Sequence, residues 1–407
     1  MTLSWLDVLK DAYERAEEEY RKVGYVKPRY GERSLADLSS SIVALFRGEA
    51  EGLLEPLVGR SKLLLVVVDS LGVNLLLSVA EEPEVKELLK TAKYVTWLTS
   101  VAPSTTATAL VSIATAAEPI RHAVLGYRMY LREVGAVVRT LDYSPAAAEK
   151  WCVLEKAGVH PRLVELPTIF EALASNNVKS VFVAYEGHIE SKYTKEISRG
   201  SEVLKHISYT DVFPRAVQAL SAANKLMVYA YWGELDTVSH VYGPESEEAR
   251  FCIIALASIL KRVVRTARSA GAGVVLLADH GQTRVNKSGL IMAHTLDSLM
   301  SSLLIPPYGE RRFAYLKALD RNKLEESLHE LGEGFIPLTV GEAVKRGIFG
   351  RGKPSRQFLE RAGDYVILAK RGKALLYPYR EKDLEPEGLG YHGGLTPEEV
   401  IVPLIIF

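Results

Sequence analysis

The sequence predicts an α/β fold: a central, mostly parallel sheet flanked by helices, with a small inserted α+β cap. Three observations carry this. Near-continuous apolar runs recur along the 407 residues, as expected of strands buried on both faces of a parallel sheet. Helical segments separate those runs, the alternation of a doubly wound sheet. After Gly281 the alternation gives way to a strand, an amphipathic helix and a hairpin-like pattern, and one last apolar strand closes the chain.

The elements follow in order. Residues 1–23 read as a helix, with Trp5, Leu9, Tyr13, Ala16 and Tyr20 near one face. "SLADLSSSIVALFRG" reads as a second, with Ser at its start and Gly just past its end. "KLLLVVVDSLG" contains the first buried strand and "KYVTWLTSV" another; "TTATALVSIATAA" is a helix of small residues. The runs "VKSVFVAY", "KLMVYAYW" and "GVVLLAD" repeat the strand signature, separated by "TIFEALASN", "TDVFPRAVQALSAA" and a long helix from Ser246. "RRFAYLKALDRNKLEESLHELG" reads as a strand entering a helix, and "DYVILAKRGKALLYPY" as a hairpin turning at "RGK". "VIVPLIIF" supplies the closing strand. The expected organisation is an N-terminal helical segment over 1–60, a core over 61–289 and 389–407, and an inserted α+β cap over 290–388. A chain of this length exceeds what one hydrophobic core usually spans, which fits a core plus an insertion.

Composition excludes several classes. Apolar residues make up 48% and charged residues 25%, with 50 Lys plus Arg against 50 Asp plus Glu, so no nucleic-acid-binding or acidic-membrane surface is indicated. Two cysteines, Cys152 and Cys252, exclude a disulfide scaffold and a thiolate zinc site; both are expected as buried thiols. The N-terminus lacks the basic-then-apolar pattern of a secretory signal, and no apolar stretch approaches the ~20 residues of a membrane span. A cytoplasmic protein is expected. Scarce Asn and Gln beside 20 Tyr point to a thermophile.

Chemistry gathers at the strand ends. "LLLVVVD" ends in Asp69, "LMVYAYWGELD" in Asp236, and "GVVLLADHG" in Asp279 and His280. Ligands of open α/β sheets bind outside such carboxyl ends. Any one of these Asp residues would serve as a helix N-cap, but an Asp–His pair before Gly puts two polar groups at one spot. Asp236 and His240, four apart, share a face if their segment is helical. His392, in "YHGGLTPEEVIVPL", lies just before the last strand, beside glycines that let backbone approach a ligand. Asp oxygen and His nitrogen donors suit zinc, with manganese as the alternative. Six ligands exceed one open catalytic site and suit two cations about 3.5–4 Å apart, the arrangement that serves phosphoryl transfer. "TSVAPSTTATALVSIATA" places Ser104, Thr105 and Thr106 at a helix start, where free N–H groups suit a phosphate and a nearby cation would activate a hydroxyl.

The order of these motifs, with "ELDTVSHVYGP", "ADHGQT" and the late "HGG", resembles the alkaline phosphatase superfamily, and within it the type I phosphodiesterase/nucleotide pyrophosphatase branch and its PglZ-like members, over about 62–407 less the insertion. The resemblance implies an alkaline phosphatase-like core and a metal-dependent phosphoric ester hydrolase acting on a small phosphate ester or nucleotide. It implies a first metal held by Asp236, His240 and His392, and a second by Asp69, Asp279, His280 and the oxygen of the nucleophile. The family's nucleophile stands nine residues before a Thr-Gly-like pair; counting back from Thr115 gives Thr106, with Thr105 next and Ser104 third. It would form a phospho-threonine intermediate. Two positions depart from the pattern: Ala109 stands where many diesterases carry an Asn, and Thr115-Ala116 replaces Thr-Gly. A sulfatase motif needs a Cys or Ser ahead of Pro and Arg, which "APSTTAT" does not supply. The alternatives are a phosphomonoesterase or phosphomutase of the same superfamily, or a non-catalytic, metal-stabilised binding protein. Lys192, Lys195 and Arg199 are further candidates for an anionic group, against the commoner reading of a solvated charged loop. His188 and His206 fit either reading, and His122 reads as structural.

Overall fold

The computed structural model describes residues 5–49, 52–386 and 388–407. A seven-stranded sheet runs in the spatial order Tyr94–Thr99, Ile401–Ile406, Ala272–Ala278, Lys62–Val68, Leu226–Trp232, Lys179–Tyr185 and Glu202–His206. Every pairing is parallel except the two made by Ile401–Ile406, which runs antiparallel to both neighbours. The expected central, mostly parallel sheet flanked by helices is therefore the observed one. Its central strands are buried along their length, which is why they read as unbroken Leu/Val runs. The edge strand Glu202–His206 escapes such reading: "EVLKH" is largely exposed and carries no apolar run.

Helices cover the sheet. Trp5–Val23 packs through Leu9, Ala12 and Ala16, while the first four residues of that expected helix lie outside the described ones. Leu35–Arg47 begins with a capping box between Ser34 and Asp37 and ends at Gly48, whose φ of +80° needs no Cβ penalty. The N-terminal segment is tied to the sheet region: Arg29 N–H donates to Thr99 Oγ1 at 2.9 Å, and Val26 N–H to the Leu395 carbonyl at 2.7 Å.

A second seven-stranded sheet, antiparallel throughout, runs Phe335–Thr339, Tyr365–Ala369, Phe313–Ala318, Leu303–Glu310, Arg128–Leu131, Ala136–Arg139 and Ser144–Pro145. It joins strands from 303–369 to strands from 128–145. Part of it packs on a separate small core that includes Leu299, Leu316, Leu324 and Ile367. The expected hairpin at "RGK" does not form. Tyr365–Ala369 pairs with Phe313–Ala318 and Phe335–Thr339, whereas Ala374–Leu376 pairs in parallel with Leu290–Met292. Both segments are apolar and largely buried, and each pairs with strands other than its neighbour across the turn.

Candidate active site

Parallel register aligns three strand ends. Val68 pairs with Trp232 on one side and Ala278 on the other, so Asp69 and Asp279 emerge abreast, and the helix Glu234–Tyr242 starts beside them. Asp236 lies in the first turn of that helix and His240 one turn on, with Nε2 3.4 Å from Asp236 Oδ2. His392 arrives from the Gly390–Tyr391 strand, which pairs antiparallel with Thr283–Arg284 just beyond His280. The His280 and His392 rings stack with centroids 4.1 Å apart. Gly281 permits this convergence: a Cβ there would sit 2.0 Å from the Glu398 carbonyl oxygen.

The six residues form two groups, Asp236 with His240 and His392, and Asp69 with Asp279 and His280; within each, one donor atom per residue lies within 4.8 Å of the others. Asp69, Asp279 and His280 are buried. Burial, reinforced by repulsion from its carboxylate neighbours Asp236 and Asp279, pushes the Asp69 carboxyl well above the usual carboxylate range. Burial likewise raises Asp279. Burial would raise Asp236 as well, but His240, His392, His280 and the Ser70 hydroxyl outweigh it and hold that carboxyl below its ordinary value. Burial lowers His392. Among the described residues the only ion-pair partners of the three aspartates are histidines.

This donor set fits divalent cations. One oxygen of Asp69 and one of Asp279 are buried with no hydrogen-bond donor, which is costly unless something cationic meets them. The tautomers suit the same role. His240 Nδ1–H donates to the Gly390 carbonyl at 2.8 Å and His280 Nδ1–H to the Gly281 carbonyl at 3.1 Å, because a carbonyl only accepts. Both Nε2 lone pairs are thereby turned toward the carboxylates.

Thr106 opens the helix Thr106–Thr115, with Oγ1 3.1 Å from His280 Nε2 and 3.5 Å from Asp69 Oδ2. The Thr105 side chain is buried against Glu310. Ser104 is turned away: its hydroxyl donates to the Gly394 carbonyl at 2.6 Å. Of the three candidate hydroxyls, that of Thr106 faces the Asp69, Asp279 and His280 group.

Three residues not named as site candidates from the sequence support the set. Ser70, at φ +66°, donates from Oγ to Asp236 Oδ1 at 2.7 Å and from its backbone N–H to Asp279 Oδ1 at 3.3 Å. The Tyr231 hydroxyl donates to Asp69 Oδ2, and Gln282 Nε2 to Asp236 Oδ1. Gln282 was visible in "DHGQT"; a Tyr inside an apolar run carries no signal of its own. The other basic candidates lie elsewhere. Lys192 and Lys195 pair with Glu196 and Glu190, and Arg199 donates to the Val164 and Leu166 carbonyls. His188 stacks on Trp151, and His206 Nδ1 lies 3.0 Å from the Ser208 carbonyl oxygen. A cavity of about 430 Å³ opens beside Thr105, Thr106, Asp236, His240 and His392 and is also lined by Tyr127, Arg128, Glu310, Arg311 and Arg380.

Comparison with protein families matches residues 63–395 to the type I phosphodiesterase/nucleotide pyrophosphatase model. Curated sequences give no match. Among solved structures, murine ectonucleotide pyrophosphatase/phosphodiesterase 5 is similar at 16% identity and a TM-score of 0.65, over 84% of this chain and 87% of that one. Its inactive form in complex with AMP is similar at 17% identity and a TM-score of 0.64, over the same shares. Phosphonoacetate hydrolase from Sinorhizobium meliloti 1021, in complex with phosphonoacetate, is similar at 20% identity and a TM-score of 0.61, over 84% of this chain and 89% of that one.

Proposed function

We propose, for a chain that belongs to the type I phosphodiesterase/nucleotide pyrophosphatase family and is a phosphoric ester hydrolase of that type, that Thr106 is the nucleophile and that two divalent cations complete the site. The observation that carries this is the Thr106 hydroxyl beside the Asp69, Asp279 and His280 group, within 3.5 Å of both His280 and Asp69, in a cavity that Asp236, His240 and His392 also line. Asp236, His240 and His392 would hold one cation; Asp69, Asp279 and His280 would hold the other beside Thr106. Bound there, zinc or manganese would supply Lewis-acid neutralisation of phosphoryl charge.

The chain's own residues do the rest. The helix beginning at Thr106 offers backbone N–H groups to phosphoryl oxygens. Thr106 Oγ1 bonds phosphorus, the bond from phosphorus to the leaving-group oxygen breaks, and the proton given up by the threonine is taken up by that departing oxygen. Water then cleaves the phospho-threonine and restores the hydroxyl. Ser70, Tyr231 and Gln282 hold the carboxylates in place throughout. Two similar proteins hold AMP and phosphonoacetate, which supports a small phosphorus oxyanion as the ligand here. We infer that the 290–388 segment caps the site, since Gly309, Glu310, Arg311 and Arg380 line the cavity. No helix among the described residues is long and apolar enough to cross a membrane, and a cytoplasmic setting is part of the same reading.

The test is hydrolysis of bis-p-nitrophenyl phosphate and p-nitrophenyl phosphate by zinc- or manganese-loaded protein. A diesterase turns over the first faster, a monoesterase the second. Asp279→Ala should lose about a thousandfold in kcat/KM, or roughly 4 kcal/mol of transition-state stabilisation. Full turnover by that variant contradicts the site; turnover of neither ester favours a binding protein.

A further inference from the structure

The arginines that line the cavity carry more positive charge than their own partners neutralise. Arg128, Arg311 and Arg380 converge on one carboxylate, that of Asp383, which is 3% exposed. Arg128 Nη2 lies 3.0 Å from Asp383 Oδ2, Arg380 Nη2 3.6 Å from Oδ1, and Arg311 Nη2 3.9 Å from Oδ1. Glu310 is the other acid lining this cavity beyond Asp236, and it is engaged by the Tyr127 backbone N–H at 2.6 Å. Three guanidiniums therefore face two carboxylates. Arg128 is 8% exposed, and the buried Nε atoms of both Arg128 and Arg380 have no hydrogen-bond partner.

Two of the three guanidiniums also rest on aromatic rings. The Arg128 guanidinium lies 5.4 Å from the Tyr379 ring centroid and that of Arg311 5.5 Å from the Tyr391 ring centroid. Planar forks fixed this way match the geometry of a carboxylate or phosphate. The same cavity, at about 430 Å³, is lined by Thr106 and His392 as well as by the arginines and has room for a small ligand.

We propose that these arginines bind a second oxyanion on the substrate, a carboxylate or a phosphate, so that the ester cleaved at Thr106 carries an anionic group of its own. The proposal rests on the reading that the phosphoryl group sits at Thr106. It makes Arg128, Arg311 and Arg380 specificity-determining residues in a position that no sequence motif marked.

Three phosphonates that an ester hydrolase cannot turn over separate the possibilities: propylphosphonate, 3-phosphonopropanoate and propane-1,3-diylbisphosphonate. Their Kd values are measured by calorimetry on the metal-loaded protein and on Arg380→Gln and Arg311→Gln, whose side chains are 12% and 31% exposed in the native chain. One anion-bearing probe should bind at least about tenfold tighter than propylphosphonate, the gain of one charge-assisted contact. That ratio should fall toward one in both variants. A preference for 3-phosphonopropanoate identifies a carboxylate, and a preference for the bisphosphonate a phosphate. Equal Kd values in the native protein, an undiminished ratio in both variants, or no binding of any probe overturns the proposal. Failure of the hydrolase reading shows separately, as absent turnover of bis-p-nitrophenyl phosphate by native protein.

Discussion

At the scale of single residues, Thr106 and His122 show how two polar groups near one helix serve different ends. Thr106 Oγ1 faces His280 and Asp69, so Thr106→Ala should reduce turnover by at least about a thousandfold, whereas Thr105→Ala should stay within about tenfold of native. Mass spectrometry of acid-quenched turnover mixtures should place the phosphoryl label on the peptide containing Thr106; a label on another peptide contradicts the assignment. His122 is buried, accepts from the Val124 N–H at Nδ1 at 3.1 Å, and presents Nε2–H to Ser112 Oγ at 2.9 Å. A second proton would meet the Val124 N–H head on, and burial lowers its pKa to about 3. A depressed folded pKa means that the unfolded chain takes up the proton first. Stability is then full above the unfolded value near 6.5 and is lost as pH falls toward the folded value. Between pH 7 and pH 5 this single group should remove roughly 2 kcal/mol, and denaturant midpoints of His122→Gln should fall less over that interval. Asp69, Asp236, Asp279, His280 and His392 were legible because each follows an apolar run or sits in a distinctive short motif. Ser70 and Tyr231 were not, because their role depends on which strands lie side by side.

At the scale of elements, the loop that delivers His392 is anchored by a buried bidentate pair. Arg312 Nε and Nη2 donate to Glu399 Oε1 and Oε2 at 2.7 and 2.9 Å, and both side chains are fully buried. Glu399 also accepts from the backbone N–H groups of Gly394 and Thr396 at 2.8 and 3.1 Å, so one carboxylate joins the second sheet to the segment after His392. Arg312→Ala leaves that carboxylate buried and uncompensated, at a cost of about 3–5 kcal/mol. Thermal or denaturant unfolding should register the loss; a change under about 1 kcal/mol would mean that the pair is dispensable. This pairing is not legible from residue patterns, since Arg312 and Glu399 lie far apart and in ordinary charged contexts. The same distance effect undid the expected hairpin at "RGK", where two good strand segments each paired elsewhere.

At the scale of the molecule, the main sheet was readable because fully buried parallel strands leave a composition signal that survives without knowledge of their neighbours. The second sheet was not readable as one sheet, because Arg128–Leu131 and Leu303–Glu310 meet only through the tertiary fold. That meeting brings Arg128 and Arg311 to one cavity. At this scale we propose that two groups of donors, collected from distant parts of the chain, would each hold one divalent cation. Cations bound only by the folded chain should raise its stability, by about 2.7 kcal/mol for each site at a hundredfold excess over Kd. Elemental analysis of metal-loaded protein after removal of free ions is the most direct measurement. Two divalent ions per chain are expected in the native protein, one in Asp236→Ala and one in Asp279→Ala. A native stoichiometry of zero, or two ions retained by both variants, would contradict the proposal.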